Sequence, residues 1–173
     1  MQERISVIQG DITQLKVDAI VNAANRSLLG GGGVDGAIHR ASGPELLQAC
    51  RALNGCETGE VKITAGYNLP AKWVLHAVGP VWDGGKNSED AQLAGCYENS
   101  LALAAQQGIR TIAFPCISTG VYHFPFERAC KIALRTVISF LEEETSVEKI
   151  LLVCFGDQDY EEYTRIFEEM MEM

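Results

Sequence analysis

The chain has 173 residues, 47% of them apolar and 21% charged, which suits one well-covered core and excludes the polar composition of a disordered chain. Its 23 acidic and 14 basic residues give a formal charge of -9, which repels polyanions and argues against direct nucleic-acid binding. A small anion can still be held by backbone N–H groups and helix N-termini.

In chain order, short β-branched or alternating runs at Arg4 to Gln9, Asp18 to Ala23, Val61 to Ala65, Trp73 to Val78, Thr111 to Pro115 and Lys149 to Phe155 predict six strands. Helical patterns occupy Val34 to Ala41, Pro44 to Leu53, Asp90 to Gln107, Phe126 to Glu143 and Asp159 to Met171. Strand and helix largely alternate, which predicts a single α/β domain over residues 1–173, its mainly parallel sheet covered by helices on both faces. The segment Trp82 to Glu89, with its Gly84-Gly85 pair, is expected to be flexible.

The six cysteines, Cys50, Cys56, Cys96, Cys116, Cys130 and Cys154, contain no C-x-x-C pair and have no His-rich neighbourhood, so buried thiols are expected and no metal site. The N-terminal residues lack an apolar signal stretch and no apolar run reaches the length of a membrane span, so a cytoplasmic protein without a membrane partner is expected. On that expectation the sequon Asn25-Arg26-Ser27 is accidental.

The most informative segment runs from Asn22 through Gly30-Gly31-Gly32-Gly33 to His39 and joins a strand to a helix. Four successive glycines let backbone N–H groups approach a ligand and reach positive φ, and a helix starting near Val34 adds its dipole, so together they form a phosphate seat. A flexible surface turn is the plainer alternative. Asn25 follows the strand end, where ligands collect in open α/β sheets, and Asp35 sits in the first helical turn beside the expected phosphates. Gly31-x-Gly33-x-x-Gly36 also fits the dinucleotide fingerprint of nicotinamide-dependent oxidoreductases. Its glycines lie well beyond the strand end, and Gly55-Cys56-Glu57-Thr58 stands where a second strand ending in an acid belongs, so that reading is weak.

A second strand–loop–helix passes through Ser118-Thr119-Gly120-Val121-Tyr122. Ser118 and Thr119 offer hydroxyls, Gly120 allows close backbone approach and Tyr122 can cover a sugar or phosphate, although Ser-Thr-Gly is also a common turn. Two such loops suggest a diphosphate held between backbone cradles at the C-terminal edge of one sheet. Asp11 can accept a hydrogen bond from an adenine amino group, or simply cap a helix.

Gly10-Asp11-Ile12-Thr13, the Asn22 to His39 segment, His76-Ala77-Val78-Gly79-Pro80 and Ile117 to Tyr122 together resemble macro domains of the MacroD type, over nearly the whole chain. The resemblance implies a three-layer α/β/α sandwich with a mixed, mostly parallel six-stranded sheet, and a cleft for ADP-ribose. It places Asp11 and Ile12 at the adenine, Gly31, Gly32, Gly33 and Val34 with Ser118 to Tyr122 at the diphosphate, and Asn25 and Asp35 at the distal ribose. The activity it implies needs no cofactor: hydrolysis of O-acetyl-ADP-ribose and of mono-ADP-ribosyl esters on Asp or Glu of proteins, with Asp35 directing water and Asn25 fixing the ribose. A non-catalytic ADP-ribose reader is the competing expectation. His123-Phe124 departs from the Gly-Tyr of many relatives, with His123 expected to be exposed. His39 and His76 are expected to be structural, and no motif fixes the role of Phe155 at the end of the last strand.

Overall fold

The computed structural model describes residues 2–144 and 146–172. Its strands are β1 (Ile5–Gln9), β2 (Ala19–Ala24), β3 (Val61–Ala65), β4 (Trp73–Val78), β5 (Thr111–Phe114) and β6 (Lys149–Cys154). Its helices are α1 (Gly33–Ser42), α2 (Pro44–Ala52), α3 (Glu89–Gln106), α4 (Phe126–Glu143) and α5 (Asp157–Met171). Each expected element is present, with no end shifted by more than two residues. The strands form one sheet in the order β1-β6-β5-β2-β4-β3. Only the edge strand β3 runs antiparallel, on β4, and the other pairs are parallel.

Strand alternation divides the core in two. Ala19 and Val21 of β2, Leu75 and Ala77 of β4, and Ile150 and Leu152 of β6 face α3, α4 and α5. Ile20 and Ala24, Val74 and Val78, and Val153 face α1 and α2 together with Leu28 and Leu69. Both faces of the sheet are thus buried, in a three-layer sandwich, which is why its strands read as nearly continuous apolar runs. Gly43, at φ 91°, separates α1 from α2, and Pro44 then opens α2 at a position where its missing N–H costs nothing.

Polar atoms also cross the second face. His76 is fully buried on β4, with Nδ1 3.2 Å from Asn22 Nδ2 on β2 and Nε2 2.9 Å from Thr64 Oγ1 on β3. An amide nitrogen can only donate, so Nδ1 accepts and Nε2–H faces the threonine, an assignment inferred from partners. Burial pushes the His76 imidazole down to about 3, and the neighbouring His39 adds to the effect. As in the sequence reading, His76 is structural.

The Trp82 to Glu89 segment, expected to be flexible, is organised. The buried Glu89 carboxylate accepts N–H bonds from Asp83 (2.8 Å), Gly85 (2.9 Å) and Asn87 (2.5 Å). Burial alone would raise its pKa, but the backbone donors prevail and hold it below the usual carboxylate range. Arg128 lies 5.1 Å over the Trp82 ring while its guanidinium grips Asp90 at 2.9 and 2.6 Å. Glycine content signalled flexibility; it did not reveal a carboxylate two to six residues downstream of the donors that ties the turns together.

Two outcomes test this core. Because folded His76 stays neutral while unfolded His76 takes up a proton near pH 6.5, its share of stability is held above that pH. It is lost as pH falls towards 3, at up to about 1.4 kcal/mol per unit. The stability gap between the parent and His76→Gln, from denaturant titrations at pH 7 and pH 4.5, should therefore shrink on acidification. A constant gap would contradict a neutral buried imidazole. Glu89→Gln should raise amide exchange at Asp83, Gly85 and Asn87 at least tenfold, and unchanged protection would show that other contacts order the loop.

Candidate functional site

β1, β6, β5, β2 and β4 are parallel, so their C-terminal ends share one edge of the sheet. Going along that edge, Asp11 follows β1, Phe155 follows β6, the Ser118 loop follows β5 and the glycine loop follows β2. From β2 the chain continues to α1 on one face of the sheet, and from β5 to α4 on the other. The two loops therefore diverge at a topological switch point, where a crevice opens in α/β sheets. From β1 to β2 the edge spans three strand spacings, about 14 Å. That is room for an extended nucleotide.

The glycine loop is braced by Asn25. Its Oδ1 accepts from Ser27 N (3.1 Å), Ser27 Oγ (2.6 Å) and Leu28 N (3.2 Å), and its Nδ2 donates to the Gly30 carbonyl at 2.9 Å. The other Nδ2 proton remains for a ligand. Of the four glycines, only Gly30 (φ 94°) and Gly33 (φ 57°) use the positive-φ region. Gly31, Gly32 and Gly33 are exposed, and no side chain caps α1 at Gly32, so the first-turn N–H groups, including that of Val34, face outward at the positive end of the helix.

Asp35, in that first turn, is only 4% exposed. Its Oδ1 accepts from Asn22 Nδ2 at 2.9 Å. With one amide proton on Asp35 and the other on His76, Asn22 sets the carboxylate from the floor of the sheet. A β-carbon on Gly31 would stand 3.3 Å from Asp35 Oδ2 and 3.4 Å from Asn25 Nδ2. The absent side chain thus leaves a corner between a carboxylate oxygen and an amide donor. His39 Nε2 lies 3.4 Å from Asp35 Oδ1 but makes no hydrogen bond, and Asn22 Oδ1 is likewise buried without a partner.

In the second loop, Ser118 is buried at φ 67°, and a β-carbon at Gly79 would stand 2.1 Å from its Oγ. Thr119 Oγ1 turns inward to the Cys116 carbonyl at 3.3 Å. The expected hydroxyl donors therefore point into the fold, because the loop closes on itself through Phe124 N to Ser118 O and His123 N to Gly120 O, each at 2.9 Å. Among the described residues, the N–H groups of Thr119, Gly120, Val121 and Tyr122 have no acceptor, which leaves the main chain as the candidate anion cradle. Tyr122 is half-buried and its carbonyl accepts from Trp82 N at 2.8 Å, joining this loop to the one organised by Glu89.

At the far end, exposed Asp11 caps the short 3₁₀ turn Ile12–Gln14, its Oδ1 accepting from Thr13 N (3.0 Å) and Thr13 Oγ1 (2.7 Å). Capping uses one oxygen, so the two readings of Asp11 are compatible. Ile12 is buried beneath it, and Phe155 is 83% exposed. His123 is exposed, as expected. Asn22, Gly79 and Glu89 stood in segments that the sequence reading quoted but were given no role, and His39, read as structural, lies close to Asp35. The spacing of Asp35 and His39, four apart on one helix, was the available signal for the last.

The family model described as Macro domain matches residues 21–133. A macro domain-containing protein of Chlorobaculum tepidum is 60% identical over 93% of this chain and 94% of its own length. The ADP-ribose glycohydrolase MACROD2 of Xenopus laevis is 56% identical over 96% of this chain and 40% of its own length. Among solved structures, an Oceanobacillus iheyensis macrodomain mutant with ADPR superposes at a TM-score of 0.93, with 44% identity over 96% of this chain and 93% of that one. The Trypanosoma brucei macrodomain in complex with ADP-ribose gives 0.89, with 47% identity over 94% and 68%. With its mixed six-stranded sheet and two main-chain cradles at a single edge, this chain belongs to the macro domain family.

Proposed function

We propose that the chain binds ADP-ribose along the sheet edge and hydrolyses acyl esters of its distal ribose, both O-acetyl-ADP-ribose and mono-ADP-ribosyl esters of Asp or Glu. The observation that carries this is the buried Asp35 carboxylate, fixed by Asn22 and opening beside Gly31 onto the corner it shares with Asn25. The named activity of the Xenopus relative and the nucleotides bound to the structural relatives support it. Adenine lies between Asp11, Ile12 and Phe155, the diphosphate between the N–H groups of Gly31 to Val34 and those of Ser118 to Tyr122, and the distal ribose against Asn25.

Water held by Asp35 Oδ2 attacks the ester carbonyl, its proton passing to the carboxylate. Collapse of the tetrahedral intermediate returns the proton to the ribose oxygen and releases the acid with free ADP-ribose. A reader that binds without hydrolysis would have no use for a buried carboxylate so close to its ligand, where it would only oppose the diphosphate.

Asp35→Ala should lower release of ADP-ribose from O-acetyl-ADP-ribose by about 10²–10⁴-fold while calorimetric titration of ADP-ribose keeps its affinity. Retained turnover refutes the role of Asp35, and absent turnover in the parent chain leaves the reader. Asp11→Ala should instead weaken ADP-ribose binding about tenfold, the loss expected for a hydrogen bond to a charged acceptor. Unaltered affinity would remove Asp11 from the adenine end.

A further inference from the structure

An open groove of about 470 Å³ lies beside the glycine loop, and its walls include Leu29, Gly31, His39, Arg40, Pro44 and Leu47. Two of these residues flank Asp35: Gly31 opens onto its Oδ2, and His39 faces its Oδ1. Gly31 and His39 are thus shared between the groove and the surroundings of Asp35, which sets the groove beside the proposed ester site.

Its chemistry differs from the rest of the surface. On a chain of net charge -9, no carboxylate among the described residues lines it, and Arg40 is the one formally charged residue among them that does. Arg40 is exposed and has no carboxylate partner among the described residues. Its Nη1 stands 3.0 Å from where a β-carbon on Gly36 would be, and the Gly31 carbonyl lies 2.5 Å from the same point, so the guanidinium is folded towards the glycine loop. Leu29 is 50% exposed, and Pro44 and Leu47 continue an apolar wall. A cation next to apolar side chains fits a polypeptide with a carboxylate beside an apolar residue.

We propose that this groove seats the polypeptide carrying the ester, an acidic segment that pairs with Arg40 and rests an apolar side chain on Leu29, Pro44 and Leu47. The proposal builds on the assignment of Asp35 as the ester site. It makes Arg40 a determinant of protein substrates with no part in binding ADP-ribose. An acidic segment is repelled by most of this surface, so the groove also gives such a substrate its direction.

The test titrates three probes by calorimetry at low salt: free ADP-ribose, an ADP-ribosyl peptide with a hydrolysis-resistant amide link and flanking Asp and Leu residues, and the same peptide with Asn in place of Asp. The parent chain should bind the Asp-flanked probe at least threefold more tightly than the Asn-flanked one, the scale of one exposed ion pair. Arg40→Gln should erase that preference and Arg40→Glu reverse it, both with unchanged affinity for free ADP-ribose. Equal affinity of the parent for the two peptides overturns the proposal. So does an Arg40→Glu variant that loses free ADP-ribose as strongly as the conjugates, since Arg40 would then be serving the nucleotide. If free ADP-ribose itself gives no heat, the nucleotide site fails first and the groove assignment falls with it, a result distinct from the other two.

Discussion

The hydrogen bond from Asn22 to Asp35 is the constraint from which the rest of the site follows. A carboxylate buried next to an anion seat is costly twice over, through lost hydration and through repulsion by the ligand. It persists because a donor from the interior of the sheet meets it. Asn22 is itself fixed, since its second proton is used on a histidine that burial keeps neutral and that bonds in turn to Thr64. The chain Thr64, His76, Asn22, Asp35 thus crosses from the edge strand β3 to the first turn of α1. It converts the rigidity of three strands into the direction of one side chain.

An acidic protein holding an acidic nucleotide is consistent once the donors are identified as main chain. Peptide N–H groups add no net charge, so their number can rise without altering -9, and their orientation is fixed by the fold before a ligand arrives. Both cradles require unusual backbone. The first uses glycine at Gly30 and Gly33. The second uses Ser118 in a left-handed conformation, which costs about 1 kcal/mol or more and is tolerated because the buried side chain locks against Gly79.

Much of this was legible in the residues. Alternation and apolar runs located six strands and five helices because both faces of the sheet are buried, and the glycine run was placed correctly between β2 and the start of α1. What escaped depends on contacts between distant segments. Asn22 reads as one more strand residue until β2 and β4 are paired, which brings it opposite His76. The hydroxyls of Ser118 and Thr119 looked like ligand donors, yet the loop turned them inward, since their direction depends on closure through Phe124 and on space left by Gly79. Glu89 could be read as a helix-start residue, but its capture of three N–H groups from the preceding loop appears only in three dimensions. β3 gave no sign of its antiparallel direction, because strand direction is set by connection length and partner and not by composition.

The first strand pairs with the last. Gln9 lies opposite Cys154, and the guanidinium of Arg4 reaches the carbonyls of Leu141, Glu144 and Val147 in the approach to β6. On the proposed assignment, the nucleobase end of the crevice is assembled from the first and last strands of the sheet, whereas both main-chain loops come from between them. On the proposed reading, the adenine end therefore depends on β6 docking beside β1, whereas the two main-chain loops do not.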